Sequence, residues 1–433
     1  MNQNEAEHLR AQGLEVETIG DILGATRAPV TTFIPEALEG TPPLPAPGIY
    51  FGMDDATYHA LPALSAHGIK KLAASPMLFW AGAQWLNPKK QAEEKNVKPH
   101  FTFGKAYHCR IMEGKEAYEQ RYAIALDPAD WPDALESTDQ IKAAIGKFQT
   151  ADTRKTASEG DMVPVKPVAK VPDLMPDGSE YLRSAVKADW IAQLIELDPS
   201  ALIFANMERE HRQNNAGKTF LTADQHAELE IAALMVERDP EIQHAFKGGH
   251  AEVVLIWECE ETGVPLKCKV DYLKLKAMVD LKSISNQRER SIEQAIRWEI
   301  ASYHYNVQPC LYVQGAKVVR QLIRDHGASV VYVMDLSTPP EISEKQSWAL
   351  KWAQHREPDE WLWVFQVKGD APITRGVWFP LGGTVNMITR EIVSMAKRRF
   401  RKYSEEMGVS PWLDISPTYM IADEDIPNSA CEI

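Results

Sequence analysis

The chain has 433 residues, 44% of them hydrophobic and 9% aromatic, with a formal net charge of −14. That is enough apolar material for one large domain or two to three smaller ones, and no run of about 18 apolar residues offers a membrane span. The acidic balance excludes a generic basic coat for nucleic acid, although an acidic exterior can guide a polyanion toward one local basic channel. Cys109, Cys259, Cys268, Cys310 and Cys431 are odd in number and widely spread, with no C-x-x-C pair. They argue against a zinc site, an iron–sulfur cluster or a disulfide framework, and for a reduced cytoplasmic protein. The N-terminus has no basic stretch leading into an apolar one, so no secretory signal is expected.

Residues 1–47 read as a peripheral extension that closes on the proline-rich linker Thr41–Pro47. A compact region begins near Gly48. Ser65 is placed as the N-cap of a helix that Ser75-Pro76 stops or restarts. Gly104-x-Ala106-x-His108 fits a helix whose small residues allow close packing. Residues 127–215 are mixed, and 153–176, rich in Lys, Pro, Val and Asp, reads as a loop or insertion. Thr222 caps a strong helix.

A block of strands follows. Glu252–Trp257, Leu266–Asp271 and Ala277–Ser283 alternate or run apolar, with a hairpin turn at 260–264. Helix is expected over 291–315, strands over 329–336 and 361–367, and a long helix to Glu406 that carries the basic tract Lys397–Lys402. The last stretch, from about Ser410, reads as an irregular tail.

The chemistry concentrates in the strand block. Asp280 and Lys282 are two apart and project to one face of a strand, with Leu281 turned into the core. If the two runs pair as a hairpin, Asp271 lies beside them. Two carboxylates suit a hard divalent cation, and a lysine next to them can orient a water or stabilise developing negative charge. Taken alone, D-x-K is a short pattern that arises by chance in a chain that is 25% charged.

Taken in order, Gly104-x-Ala106-x-His108, Glu252, Asp271, Asp280-x-Lys282 and Gln308-x-x-x-Tyr312 resemble the PD-(D/E)xK nuclease superfamily. Leu64-Ser65…Leu72…Ser75-Pro76 and Lys218–Gln225 fit the same pattern. The likeness is to the RecB-like branch and, within it, to the exodeoxyribonuclease VIII type of phage and prophage origin, and it spans roughly residues 48–340. Val270 stands where the motif name has proline, and 127–215 matches poorly. The resemblance implies an α/β fold with a restriction-endonuclease-like core: a central mixed β-sheet flanked by helices, with helical insertions, over 48–408, followed by a tail at 409–433.

It also implies residue roles. Asp271, Asp280, His108 and the Leu281 backbone carbonyl would hold Mg²⁺, with Mn²⁺ as a substitute. Glu252 would lie beside that site, or otherwise be a solvated strand end. Lys282 would position or deprotonate the attacking water, or stabilise the phosphate. Gln308 and Tyr312 would brace the lysine or contact the scissile strand, or else form a core pair. Ser65, Lys70, Lys71 and Ser75 would grip a DNA phosphate, unless the serines are simple caps. The basic tract would track the DNA backbone or form a solvated helix face.

The activity implied is ATP-independent 5′→3′ resection of linear double-stranded DNA to 3′ single-stranded tails in the cytoplasm of a bacterial cell. No iron–sulfur cluster and no membrane are expected. A single-strand annealing recombination protein would be the partner, and a homo-oligomeric ring the assembly. An endonuclease of the same fold and a DNA-binding module without cleavage are the alternatives.

Overall fold

The computed structural model describes residues 33–92, 99–151, 162–175, 179–286, 288, 290–335, 338–355, 359–368 and 373–414. The chain divides into two compact units, Met1–Asn96 with Met235–Ile433, and Val97–Leu234.

The first unit is built on β1 (Gly48–Phe51), β2 (Gly249–Glu258), β3 (Pro265–Lys274), β4 (Ala277–Ile284), β5 (Val331–Val333), β6 (Glu360–Val367) and β7 (Ile373–Trp378). They form one seven-stranded mixed sheet in the order β5-β1-β2-β3-β4-β6-β7. β1, β2, β3 and β4 are antiparallel neighbours, while β1 with β5 and β4 with β6 run parallel. The apolar runs Val253–Trp257 and Trp361–Val367 are buried throughout, as strands covered on both faces must be. The β2–β3 turn closes with Cys259 donating to the Val264 carbonyl at 2.9 Å. It needs a left-handed residue, supplied by Gly263 at φ +67°.

Helices α1 (Asp55–Ala60), α2 (Ala66–Ala74), α3 (Pro76–Gly82), α4 (Ile292–Ser302), α5 (Val307–His326), α6 (Pro339–Ala353) and α7 (Thr384–Met407) flank this sheet. Leu311, Ala316, Val319 and Ile323 of α5 share one core with Trp257, Trp361, Trp363 and Phe365 of the sheet. Gly315 lets α5 approach, since a Cβ there would lie 2.6 Å from the Trp257 ring.

Several local expectations change. The helix expected over 291–315 is broken by residues 303–306, where His304 adopts φ +49°, a conformation that interrupts right-handed helix. The strand expected over 329–336 shortens to Val331–Val333, an edge strand with β1 as its neighbour, because a 3₁₀ turn occupies Gly327–Val330. Residues 336–337 lie outside the described ones. β7 has a glycine at its centre, which masks the strand pattern in the sequence.

In the second unit, Pro99–His108 is helical and passes into a π-helical turn, Cys109–Glu113. Tyr122–Ile124 pairs in parallel with Thr219–Leu221. Thr138–Ile145, Lys187–Leu197 and Phe204–Asn214 are helices. The stretch 153–176 read as a loop contains two strands, Met162–Pro164 and Lys170–Leu174, which pair antiparallel with Gln149–Ala151 and Glu180–Ser184 on either side of it; residues 152–161 and 176–178 lie outside the described ones. The Thr222 cap is formed: Gln225 N–H donates to its hydroxyl and Thr222 N–H to the Gln225 side chain, both at 3.1 Å.

Candidate active site

The register of the sheet builds the site. β2 and β3 pair Ala251 with Tyr272 and Val253 with Val270, which sets Glu252 opposite Asp271. β3 and β4 pair Met278 with Leu273 and Val279 with Tyr272, which sets Asp280 opposite Asp271. Directly opposed residues share a face, so Glu252, Asp271 and Asp280 form a row across three strands. The ladder breaks at Glu252, whose backbone is left-handed at φ +55°. A glutamate held there carries local strain of the kind that surrounding structure must impose.

Carboxylate oxygens of Glu252 and Asp271 come within 4.8 Å of each other. Asp271 Oδ2 accepts the Leu281 N–H at 2.8 Å, which locks the Asp271 side chain to β4. Asp280 is 1% exposed. Its Oδ1 accepts a hydrogen bond from Gln308 Nε2 at 3.0 Å, and its Oδ2 meets the Lys282 ammonium at 2.5 Å. That second contact is an ion pair of poor hydrogen-bond alignment, for Oδ2 has no aligned donor among the described residues. Burial works against the Lys282 charge, but Asp280 and then Asp271 outweigh it and hold the ammonium above the ordinary lysine value.

Gln308 and Tyr312 sit one turn apart on α5. Burial raises the Tyr312 phenol well above its usual value, and its ring meets Trp361 edge-on at 5.6 Å. Gln308 therefore braces Asp280, while Tyr312 is a core residue beside it.

The remaining expected residues divide. Lys70 lies near the ion pair, with its ammonium and that of Lys282 at 5.6 and 5.3 Å from the Tyr305 ring centre. Lys71 faces Gly82, where a Cβ would lie 2.2 Å from its Nζ. Ser65 caps α2, accepting the Gly68 N–H at 3.2 Å. Ser75 precedes α3 without a side-chain cap bond. His108 ends the helix Pro99–His108 in the second unit, and Ala106 of the same helix is fully buried. At Gly104 an added Cβ would meet nothing within 4 Å among the described residues.

The basic tract is a solvated face in part, with Arg398, Arg399 and Lys402 exposed. Lys397 is 8% exposed and Phe400 fully buried. Arg398 pairs with Glu261 at 2.6 Å and Arg401 donates to the Thr262 carbonyl at 3.0 Å, which fastens α7 to the β2–β3 turn.

Two participants escaped the sequence reading. Lys269 Nζ pairs with both Glu252 and Asp55 at 2.7 Å, and Tyr305 joins Lys70 to Lys282. Lys267-x-Lys269-x-Asp271 has the spacing of one strand face, a signal that was available; nothing in the sequence near Asp55 linked it to β3.

Residues 192–344 match the family model described as "PDDEXK-like domain of unknown function (DUF3799)". No curated protein matches the chain. Among solved structures, a "Putative exonuclease" from Eubacterium rectale aligns over 79% of this chain and 82% of its own. Its 11% identity and TM-score of 0.35 are too low to bear on fold or chemistry. The matched residues include the strands that carry Glu252, Asp271 and Asp280, so this part of the chain is similar to a PDDEXK-like domain with a mixed sheet flanked by helices.

Proposed function

We propose that the protein is a divalent-metal-dependent DNA exonuclease that resects linear duplex 5′→3′ without ATP. The observation that carries this reading is the row Glu252–Asp271–Asp280, with Lys282 paired to its last member. Glu252 and Asp271 present converging oxygen donors, which fit Mg²⁺ or Mn²⁺. The resemblance adds His108 and the Leu281 carbonyl as further ligands. Bound there, the ion supplies Lewis-acid polarisation of the phosphodiester and a more acidic water.

The protein's own residues do the rest. A lysine held charged is a poor base and a good electrostatic partner for a crowded phosphate, so Lys282 stabilises negative charge in the transition state. Asp280 holds the ammonium in place, and Gln308 holds Asp280. Burial, and then the nearby Lys282 ammonium, lower the affinity of Lys70 for a proton, and Lys70 is placed to meet an adjacent phosphate. Polarity, the production of 3′ tails, an annealing partner and a ring-like homo-oligomer belong to the same proposal and rest on the resemblance.

The test is digestion of duplex DNA labelled at its 5′ or 3′ end, with Mg²⁺ or with chelator, beside closed circular DNA. We expect loss of the 5′ label first, no reaction in chelator and intact circles. Lys282→Ala is expected to lower the rate by about 10²–10³, as removal of one transition-state donor does. Circles cut as fast as linear DNA would establish an endonuclease, and DNA bound but uncut with every divalent ion a binding module.

A further inference from the structure

The segment between α4 and α5 carries a feature that metal-assisted hydrolysis does not use. Tyr303 and Tyr305 stack with ring centres 5.8 Å apart and planes inclined by 19°. Tyr305 is the inner ring, lying against Phe365 at 6.3 Å and beneath the Lys70 and Lys282 ammonium groups. Tyr303 is the outer ring and is 53% exposed. The Lys70 ammonium donates to the Tyr303 carbonyl at 2.9 Å, which fixes the backbone that presents it. A continuous chain of contacts therefore runs from Asp280 through Lys282 and Tyr305 to an open aromatic face.

We infer that Tyr303 is a stacking platform for an unpaired nucleobase, so that the strand end reaching Lys282 is single-stranded there. The inference rests on the nuclease reading for the identity of the ligand. An exposed ring stacked on a second ring gains no core energy from its outer face, and solvent is a poor neighbour for it. Each base has a π-face, so such a ring binds single strands without reading sequence. Cations over the inner ring supply the complementary charge for the neighbouring phosphate. A base in a duplex keeps its own neighbours stacked on both faces, so occupation of Tyr303 requires a frayed or unpaired end.

The full chain in chelator, titrated with fluorescein-labelled oligothymidylate and with a strand carrying terminal 2-aminopurine, tests this. Wild-type protein is expected to bind both and to quench the 2-aminopurine. Tyr303→Ala weakens single-strand binding about 10-fold, within the range for loss of one stacked base, and removes the quenching; Tyr303→Phe retains both. Wild-type affinity and quenching in Tyr303→Ala, or failure of the wild type to bind single strands, would overturn the platform. Loss of binding in Tyr303→Phe as well would overturn it in favour of a structural role for the hydroxyl. Binding and quenching as expected, with no hydrolysis under any divalent ion, would leave the platform standing and reject the nuclease instead.

Discussion

Asp280 is nearly inaccessible to solvent, yet its charge is met by one amide and one ammonium. Removing the amide leaves a buried carboxylate oxygen without its donor, a loss of about 1–3 kcal/mol. Gln308→Ala is therefore expected to lower stability by that amount in a denaturant melt and to reduce the rate further than the stability change explains. An unchanged melt and rate would remove Gln308 from the site.

Lys267, on the same strand face, makes a second residue-scale case. It is 4% exposed, and its Nζ donates to the Tyr58 and Leu61 carbonyls at 2.7 and 2.8 Å. Burial pushes its pKa down to about 7. Between that value and the ordinary lysine value the unfolded chain binds the extra proton, so stability rises with pH. A neutral amine still donates to two carbonyls. From pH 7 to about 8.5, below the ordinary thiol ionisation, wild-type stability should climb; Lys267→Met should flatten the slope. Equal slopes would show that the lysine stays charged throughout.

At the scale of elements, α5 joins the core to the site. Its N-terminal turn delivers Gln308, its middle packs on Trp257 through Gly315, and Arg320 pairs with Asp359 at 2.6 Å just before β6. Both partners of that pair are buried, at 4% and 5% exposure, and removing one partner of such a pair costs about 3–5 kcal/mol. Gly315→Ala is expected to cost about 1–3 kcal/mol through overpacking against Trp257 and to lower activity by displacing α5. Thermal melts of the variant check the first effect and label release from linear DNA the second; a wild-type melt would mean that the tryptophan yields. α7 is less uniform: within Lys397–Lys402, Lys397 and Phe400 are buried and Arg398 and Arg401 bond the β2–β3 turn, while Arg399 and Lys402 are exposed to solvent.

For the whole molecule, the first unit is assembled from chain on both sides of the second, and the carboxylate row lies wholly within it. With a net charge of −14, the proposed reading places DNA affinity on a small number of cations near the row. Binding of linear duplex in chelator is accordingly expected to weaken with salt at a log–log slope of only about −2 to −4, since each neutralised phosphate adds about −0.9. A slope near −8 in an anisotropy titration would reveal a broad basic surface elsewhere.

Strand periodicity and local spacing made legible the strands that carry Glu252, Asp271 and Asp280, and the D-x-K pair, because they encode which side chains share a face; the mixed α/β class followed from the family resemblance. The Thr222 cap was equally legible, being a bond between residues three apart. Only the tertiary structure decided that Asp271 stands between Glu252 and Asp280, that Lys269 joins Glu252 to Asp55, and that Tyr305 lies beneath both Lys70 and Lys282. Those relations depend on cross-strand register and on contacts between residues hundreds of positions apart, and no local pattern carries them. D-x-K thus marked the candidate site and its Asp280–Lys282 pair, while cross-strand register decided which carboxylate faces Glu252.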